Sequence, residues 1–328
     1  MDMMRAFVIS EPGGPEKLEL KALKRPRAKP GWVLIRNRAF GLNRSEWFTR
    51  RGDSPAVRFP RVLGIECVGE VVTAPDTNLV AGQKVAAIMG GMGRDFDGSY
   101  AEYVLVPQEI VFPLTTALDW PVLGALPEML QTVHGSLYTG LEIDGARNIL
   151  IRGATSSIGF ASIAIAKSVG LEVTATTRSL DKADQLRSAG ATHVIEDKGS
   201  IAIQARTICS NGCDRVLELI GTTTLLDSMQ SCRPGGIVCM TGILGGEWVI
   251  PEFAPMDAIP TGVKLTSYSG GAMDIKQAQL QRYVELVENG ALKIRLGPRF
   301  SFTELQQAHA LMDENRANGK IVVTLDPK

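Results

Sequence analysis

The residues best suited to chemistry lie in Asn148-Ile-Leu-Ile-Arg-Gly-Ala-Thr-Ser-Ser-Ile-Gly159 and in the Thr177-Arg178-Ser179 that follows it. Residues 149–151 are a short apolar run, 153–159 a loop of small residues, and 160–169 carry apolar side chains at helical spacing. Strand, tight turn and helix in that order bring backbone N–H groups and the positive end of a helix against a pyrophosphate. The donors would be Ser156, Ser157 and Ile158. The next apolar run, 172–176, ends in Thr177-Arg178-Ser179 rather than in Asp or Glu. An acid at that point would hydrogen-bond a ribose 2′-OH, whereas a guanidinium pairs bidentately with a 2′-phosphate. Arg178, helped by Thr177, Ser179 and Lys182, is the candidate for that phosphate, and the pattern predicts an NADPH site. The bland alternatives are an ordinary strand–helix turn and a solvated pair of cations, because Ala154 and Ser156 stand where a Gly-x-Gly-x-x-Gly loop has glycine.

These residues need a scaffold. Up to about residue 121 the chain reads as β-rich, with strand-like runs at 5–10, 32–39, 67–73, 84–89 and 100–106 separated by turns such as Pro12-Gly-Gly14 and Pro30-Gly31. From Val122 the pattern alternates. A helix at 123–141 precedes strand 149–151, helix 157–169, strand 172–176, helix 181–189, strand 192–195, helix 200–209, strand 214–219, helix 223–232 and strand 236–241. A strand at 263–269 and a helix at 275–289 follow. The spacing predicts an α/β fold, a doubly wound parallel (Rossmann) sheet beside a β-rich domain. An amphipathic helix at 302–315 and a strand at 320–325 return to the first domain. The expected division is therefore 1–121 with 290–328, and 122–289, with cofactor and substrate in a crevice between the two.

Composition narrows the function. Thirty-five Lys+Arg balance 35 Asp+Glu, which leaves no electrostatic footprint for nucleic acid. The longest apolar stretch, 149–171, is interrupted by Arg152, Lys167 and glycines, so no membrane span is expected. Residues 1–5 carry mixed charge and no leader pattern is visible. The five cysteines (67, 209, 213, 232 and 239) are scattered without redox or zinc spacing, as suits free thiols in the cytoplasm. The only histidines are His134, His193 and His309, and no zinc site is expected.

In order and spacing these motifs resemble the medium-chain dehydrogenase/reductase superfamily, most of all its zinc-free quinone oxidoreductase (zeta-crystallin-like) branch, over nearly the whole chain. The markers are Gly41-Leu-Asn-Arg-Ser-Glu46 with Arg50 and Gly52, Pro60-Arg-Val-Leu-Gly-Ile-Glu-Cys-Val-Gly-Glu-Val71 and Asp97-Gly-Ser-Tyr-Ala-Glu-Tyr103. After the loop at 153–159 come Ala189-Gly-Ala-Thr-His-Val194, Pro234-Gly-Gly236 and Gly319-Lys-Ile-Val-Val323. The resemblance implies a GroES-like catalytic domain in the first part. It places Asn43 where zinc members carry a Cys, facing the nicotinamide, and Ile65 where they carry a His. The Cys-rich lobe of zinc members is replaced by 88–98, which has no thiol.

The same resemblance sets Thr132 near the nicotinamide ribose, the loop Gly242-Ile243-Leu244 at the carboxamide, and Gly221 at a strand end on the ligand edge. Arg316 and Asn318 would reach the cofactor. Asn43 would be the catalytic residue, donating its amide to a substrate carbonyl or to the ribose; a turn Asn is the alternative. Glu46 would contact Arg50, and His134 reads as a packed ring rather than a proton donor. Asp197 replaces a Tyr that stacks near the cofactor in relatives. Without a metal to hold an alkoxide, reduction of a quinone or enone, which delocalises incoming charge, is the accessible chemistry. The competing functions are an enoyl-thioester or alkenal reductase and a low-turnover NADPH-binding sensor or scaffold. A homodimer paired through edge strand 263–269 is expected.

Overall fold

The computed structural model describes residues 2–325. The chain divides into two compact units. The second runs from Thr132 to Gly270 and includes Gly290–Arg295. The first holds the residues up to Gln131, Gly271–Asn289, and the chain from Leu296 onward. Helix Gln277–Glu288, which the sequence pattern groups with the parallel sheet, belongs to the first unit. Its polar face explains this. Gln281 exchanges hydrogen bonds with both backbone groups of Thr115, and Glu288 accepts from Thr116 and from the Ala117 N–H.

The second unit is a six-stranded sheet, parallel throughout. Numbered by their order within the unit, its strands lie 3-2-1-4-5-6. This is the doubly wound dinucleotide-binding order, in which ligands lie outside the carboxyl ends of the strands. The strands are Asn148–Arg152, Glu172–Thr177, His193–Glu196, Cys213–Glu218, Cys232–Met240 and Lys264–Ser267. Ile149, Leu150, Ile151, Val216 and Leu217 are fully buried, as central strands of a covered sheet require.

The single helix expected at 123–141 is instead three pieces: Trp120–Leu123, Pro127–His134 and a π-helical turn Gly135–Gly140. Gly124 ends the first piece and Pro127 opens the second, a position where its missing N–H is harmless. The π turn depends on two glycines. A Cβ on Gly135 would fall inside the ring of Tyr268, and one on Gly140 would strike Cys239 Sγ at 2.4 Å.

In the first unit a seven-stranded sheet is built largely of antiparallel pairs. Its long strand Trp32–Gly41 pairs with the carboxyl-terminal strand Lys320–Thr324, so the end of the chain does return to this unit. Strands Leu18–Lys24, Val111–Pro113 and Leu296–Ser301 and helix Arg44–Arg51 complete elements that the sequence pattern misses. Phe40, Ile35, Val33, Leu63 and Val323 form part of one buried apolar cluster over this sheet.

Candidate active site

In the second unit the loop after strand Asn148–Arg152 has the geometry of a phosphate cradle. Gly153 adopts φ +81°, a conformation costly for any side chain-bearing residue. Gly159 lets the following helix pack on the loop, since a Cβ there would lie 2.5 Å from the Ala154 carbonyl oxygen. Helix Ser157–Ser168 begins here, and its N-cap is Ser156. The Ser156 hydroxyl donates to the Gly153 carbonyl (2.9 Å) and accepts from the Gly159 N–H (3.0 Å), while its own N–H donates to Gly153 as well. Ser156 is therefore the capping residue of this helix, its hydroxyl and N–H both engaged within the loop. The N–H groups of Ser157 and Ile158 open the helix without an acceptor among the described residues, and both residues are half-buried rather than sealed.

Thr177 and Ser179 shape the turn after the second strand. The Thr177 hydroxyl donates to the Ser179 carbonyl (2.9 Å), and the Ser179 hydroxyl bonds Asp181 (2.9 Å). Arg178 between them is exposed and has no ion pair among the described residues; Lys182, half-buried, has none either. The loop after the fifth strand returns toward the fourth: the Gly242 N–H donates to the Glu218 carbonyl (3.2 Å) and the Leu244 N–H to that of Leu219 (3.1 Å). The N–H of Ile243 makes no hydrogen bond among the described residues and is the available donor of that loop. Gly221 acts by shape. It sits at φ 109°, ψ −149°, and a Cβ would press on the Gly242 carbonyl at 3.1 Å. Thr132 lies just ahead of the π turn, where its carbonyl accepts from the Ser136 hydroxyl (2.6 Å). His134 packs on the Tyr138 ring, and burial lowers its pKa below the ordinary histidine value.

Two buried charged residues that the sequence reading passes over end central strands of the sheet. Glu218 closes the fourth strand, accepts from the N–H groups of Ile220 (2.7 Å) and Gly221 (3.0 Å), and holds the Ser228 hydroxyl. Arg152 closes the first strand and is fully buried. Its guanidinium chelates both oxygens of Asp197 (2.8 and 3.0 Å) and reaches Asp227 (2.8 Å), Ser228 and the carbonyls of Thr224 and Gly199. A charged residue ending an apolar strand was the signal available for both.

In the first unit Asn43, Glu46, Glu66, Glu128 and Lys320 form one buried polar cluster. The Lys320 ammonium pairs with Glu66 (2.8 Å) and Glu128 (3.0 Å) and donates to Asn43 Oδ1. Asn43 Nδ2 donates to Glu66 Oε1 (3.0 Å) and Glu46 Oε1 (3.3 Å). The Glu66 carboxylate also accepts from the Glu128 N–H (2.9 Å). Both ends of the Asn43 amide are thus committed internally. It is a member of this buried network.

Glu46 does not meet Arg50 by hydrogen bond. It accepts from the Ile65 N–H (3.2 Å), while Arg50 bonds the Gly13 carbonyl and Asp313. Burial would strip the Lys320 ammonium of its proton, but Glu128 and Glu66 more than reverse that and raise its pKa above the ordinary lysine value. Burial pushes the Glu46 carboxyl up to about 8. Glu46 Oε2 is buried with no hydrogen-bond partner, as fits a neutral acid better than a carboxylate.

A dinucleotide fits the second unit: free helix-opening N–H groups, an unpaired exposed guanidinium and a free loop N–H lie on the same strand-end edge. Positions 43 and 65 offer an amide and a hydrocarbon, and the remaining Glu66 is bound by Lys320. Among the described residues no group of three or more His, Cys, Asp or Glu is placed to hold a metal ion.

A 3-2-1-4-5-6 parallel sheet with a glycine loop, joined in one chain to a β-rich unit, defines a nucleotide-dependent dehydrogenase architecture. Comparison with known proteins agrees. The alcohol dehydrogenase GroES-like domain matches residues 29–116 and the zinc-binding dehydrogenase family matches 189–323. A quinone oxidoreductase of Pseudomonas aeruginosa is 27% identical across 98% of this chain and 99% of its own. Among solved structures, an NAD-dependent alcohol dehydrogenase superposes with a TM-score of 0.88 at 24% identity, covering 98% of this chain and 100% of that one. A mycobacterial protein solved with NADPH superposes at 0.85 and 22% identity, covering 98% and 99%. The chain belongs to the medium-chain dehydrogenase/reductase superfamily, in its quinone oxidoreductase branch. It is an NAD(P)-dependent oxidoreductase. Among the described residues no helix is long and apolar enough to cross a membrane.

Proposed function

We propose that this protein is an NADPH-dependent reductase that delivers a hydride to a quinone or another conjugated carbonyl compound without zinc. The observation that carries the reading is Arg178, an exposed guanidinium with no ion pair among the described residues, following the second strand on the same sheet edge as the N–H groups of Ser157 and Ile158. The helix-opening N–H groups would hold the pyrophosphate, Arg178 and Lys182 the 2′-phosphate, and the Ile243 N–H the carboxamide. A bound reduced nicotinamide supplies the hydride. The chain's own part is to bind, orient and keep water away. The amide, hydrocarbon and ammonium at the family's metal position supply no Lewis acid, so the acceptor must carry the incoming charge by conjugation. Five free, buried cysteines are consistent with work in the cytoplasm.

The test is NADPH oxidation with 9,10-phenanthrenequinone, beside NADH, beside Arg178→Asp, and after dialysis against a chelator. Fast turnover with NADPH that survives the chelator is expected, and Arg178→Asp should lower kcat/KM for NADPH about 10- to 100-fold. That corresponds to a charge-assisted pair of about 1.5–3 kcal/mol. Tight NADPH binding without quinone turnover would overturn the acceptor assignment. Turnover lost to the chelator would overturn the zinc-free reading.

A further inference from the structure

Asp197 is an acid in a place where an acid has consequences. The parallel register sets Glu196 beside Thr177, and the Asp197 N–H donates to the Thr177 carbonyl at 2.7 Å. Asp197 therefore stands level with Arg178, at the end of the second strand, where NAD-selective sites place a carboxylate on the ribose 2′-OH. A free carboxylate here would repel a 2′-phosphate and offset Arg178 and Lys182. The other acids nearby are already held: Asp181 by Ser179 and Glu196 by Lys198. Asp197 is turned inward, its side chain 10% exposed, with both oxygens chelated by the fully buried Arg152.

We propose that Arg152 is a specificity-determining residue, which preserves the preference for NADPH by holding the Asp197 charge away from the 2′-phosphate position. The inference rests on the NADPH reading above. The pair is built to stay ionised. Burial opposes the charge on each partner, and their mutual hydrogen bonds more than reverse it, raising the pKa of Arg152 and lowering that of Asp197. The guanidinium geometry matters because its planar fork takes both carboxylate oxygens at once, which a lysine cannot do. Asp227 and the Thr224 carbonyl hold the guanidinium through its other terminal nitrogen, so it cannot follow Asp197 outward.

The experiment is fluorescence titration of wild type, Arg152→Gln, Arg152→Lys, and each of these combined with Asp197→Asn, using NADPH and NADH as ligands. The readout is the ratio of the two affinities, which a general loosening of the fold would leave alone. Arg152→Gln should lower the NADPH:NADH ratio at least tenfold and Arg152→Lys several-fold, and adding Asp197→Asn should restore it in both. If Arg152→Gln does not fold, the lysine variant carries the test. An equal loss of both affinities, or a lowered ratio that Asp197→Asn does not restore, would show Arg152 to be a structural tie only. Wild-type protein that binds both nucleotides alike would refute the NADPH reading itself, and this inference with it.

Discussion

Replacing Glu46 by glutamine should change how the protein's stability depends on pH. In the folded protein burial raises this carboxyl from its ordinary 4.5 to about 8, with Glu66 adding to the effect and Lys320 opposing it. The folded state then binds the proton more tightly than the unfolded chain. The resulting stabilisation is complete below pH 4.5 and is lost progressively as the pH rises through about 8. Each pH unit inside that window is worth about 1.4 kcal/mol, so between pH 5.5 and 7.5 wild type should lose about 3 kcal/mol through this group alone.

Glutamine keeps the oxygen that accepts from the Ile65 N–H and Asn43 Nδ2, and places its amide nitrogen where Oε2 has no partner. That unsatisfied nitrogen should cost about 1–3 kcal/mol at any pH. Urea unfolding of both proteins at the two pH values measures the difference, in which groups remote from Glu46 cancel. Of the nearby groups, Tyr100 and Lys320 are raised further above their ordinary values, burial together with Arg50 pushes His309 down to about 3, and burial also raises Glu66, against the opposing charge of Lys320. The expected result is a variant less stable than wild type at pH 5.5 and gaining about 3 kcal/mol on it by pH 7.5. Stability curves that stay parallel within about 0.5 kcal/mol would show that Glu46 is ionised throughout, and the neutral-acid assignment would be wrong.

Two further outcomes test other parts of the structure. Gly159→Ala puts a methyl 2.5 Å from the Ala154 carbonyl oxygen, and the overpacking should destabilise the protein by about 1–3 kcal/mol and weaken NADPH binding; a variant that melts and binds like wild type would show that the loop does not need this close approach. Strand Lys264–Ser267 is an unpaired edge of the parallel sheet, and the segment leading to it exposes Trp248, Val249 and Met256, so a homodimer joined along that edge is expected. Sedimentation at two concentrations should show it, and a monomer at both would refute it.

The succession of strands and helices from 148 onward was legible because hydrophobic periodicity and glycine turns are local properties, and strand order follows from right-handed crossovers once the elements alternate. Arg178 was legible for the same reason: it is the residue that follows the second strand, and that placement needs no tertiary knowledge. Pattern could not tell which polar groups remain free after folding. Ser156 and Asn43 have the right chemistry for a ligand, but tertiary neighbours claim them, the first by Gly153 and Gly159 and the second by Lys320, Glu66 and Glu46. Lys320 lies 277 residues from Asn43, and Arg152 meets Asp197 and Asp227 from 45 and 75 residues away along the chain. Sequence determined which groups exist and on which element they sit. Only the folded chain decided their burial and their partners, because desolvation and hydrogen bonding depend on residues that the linear order keeps far apart.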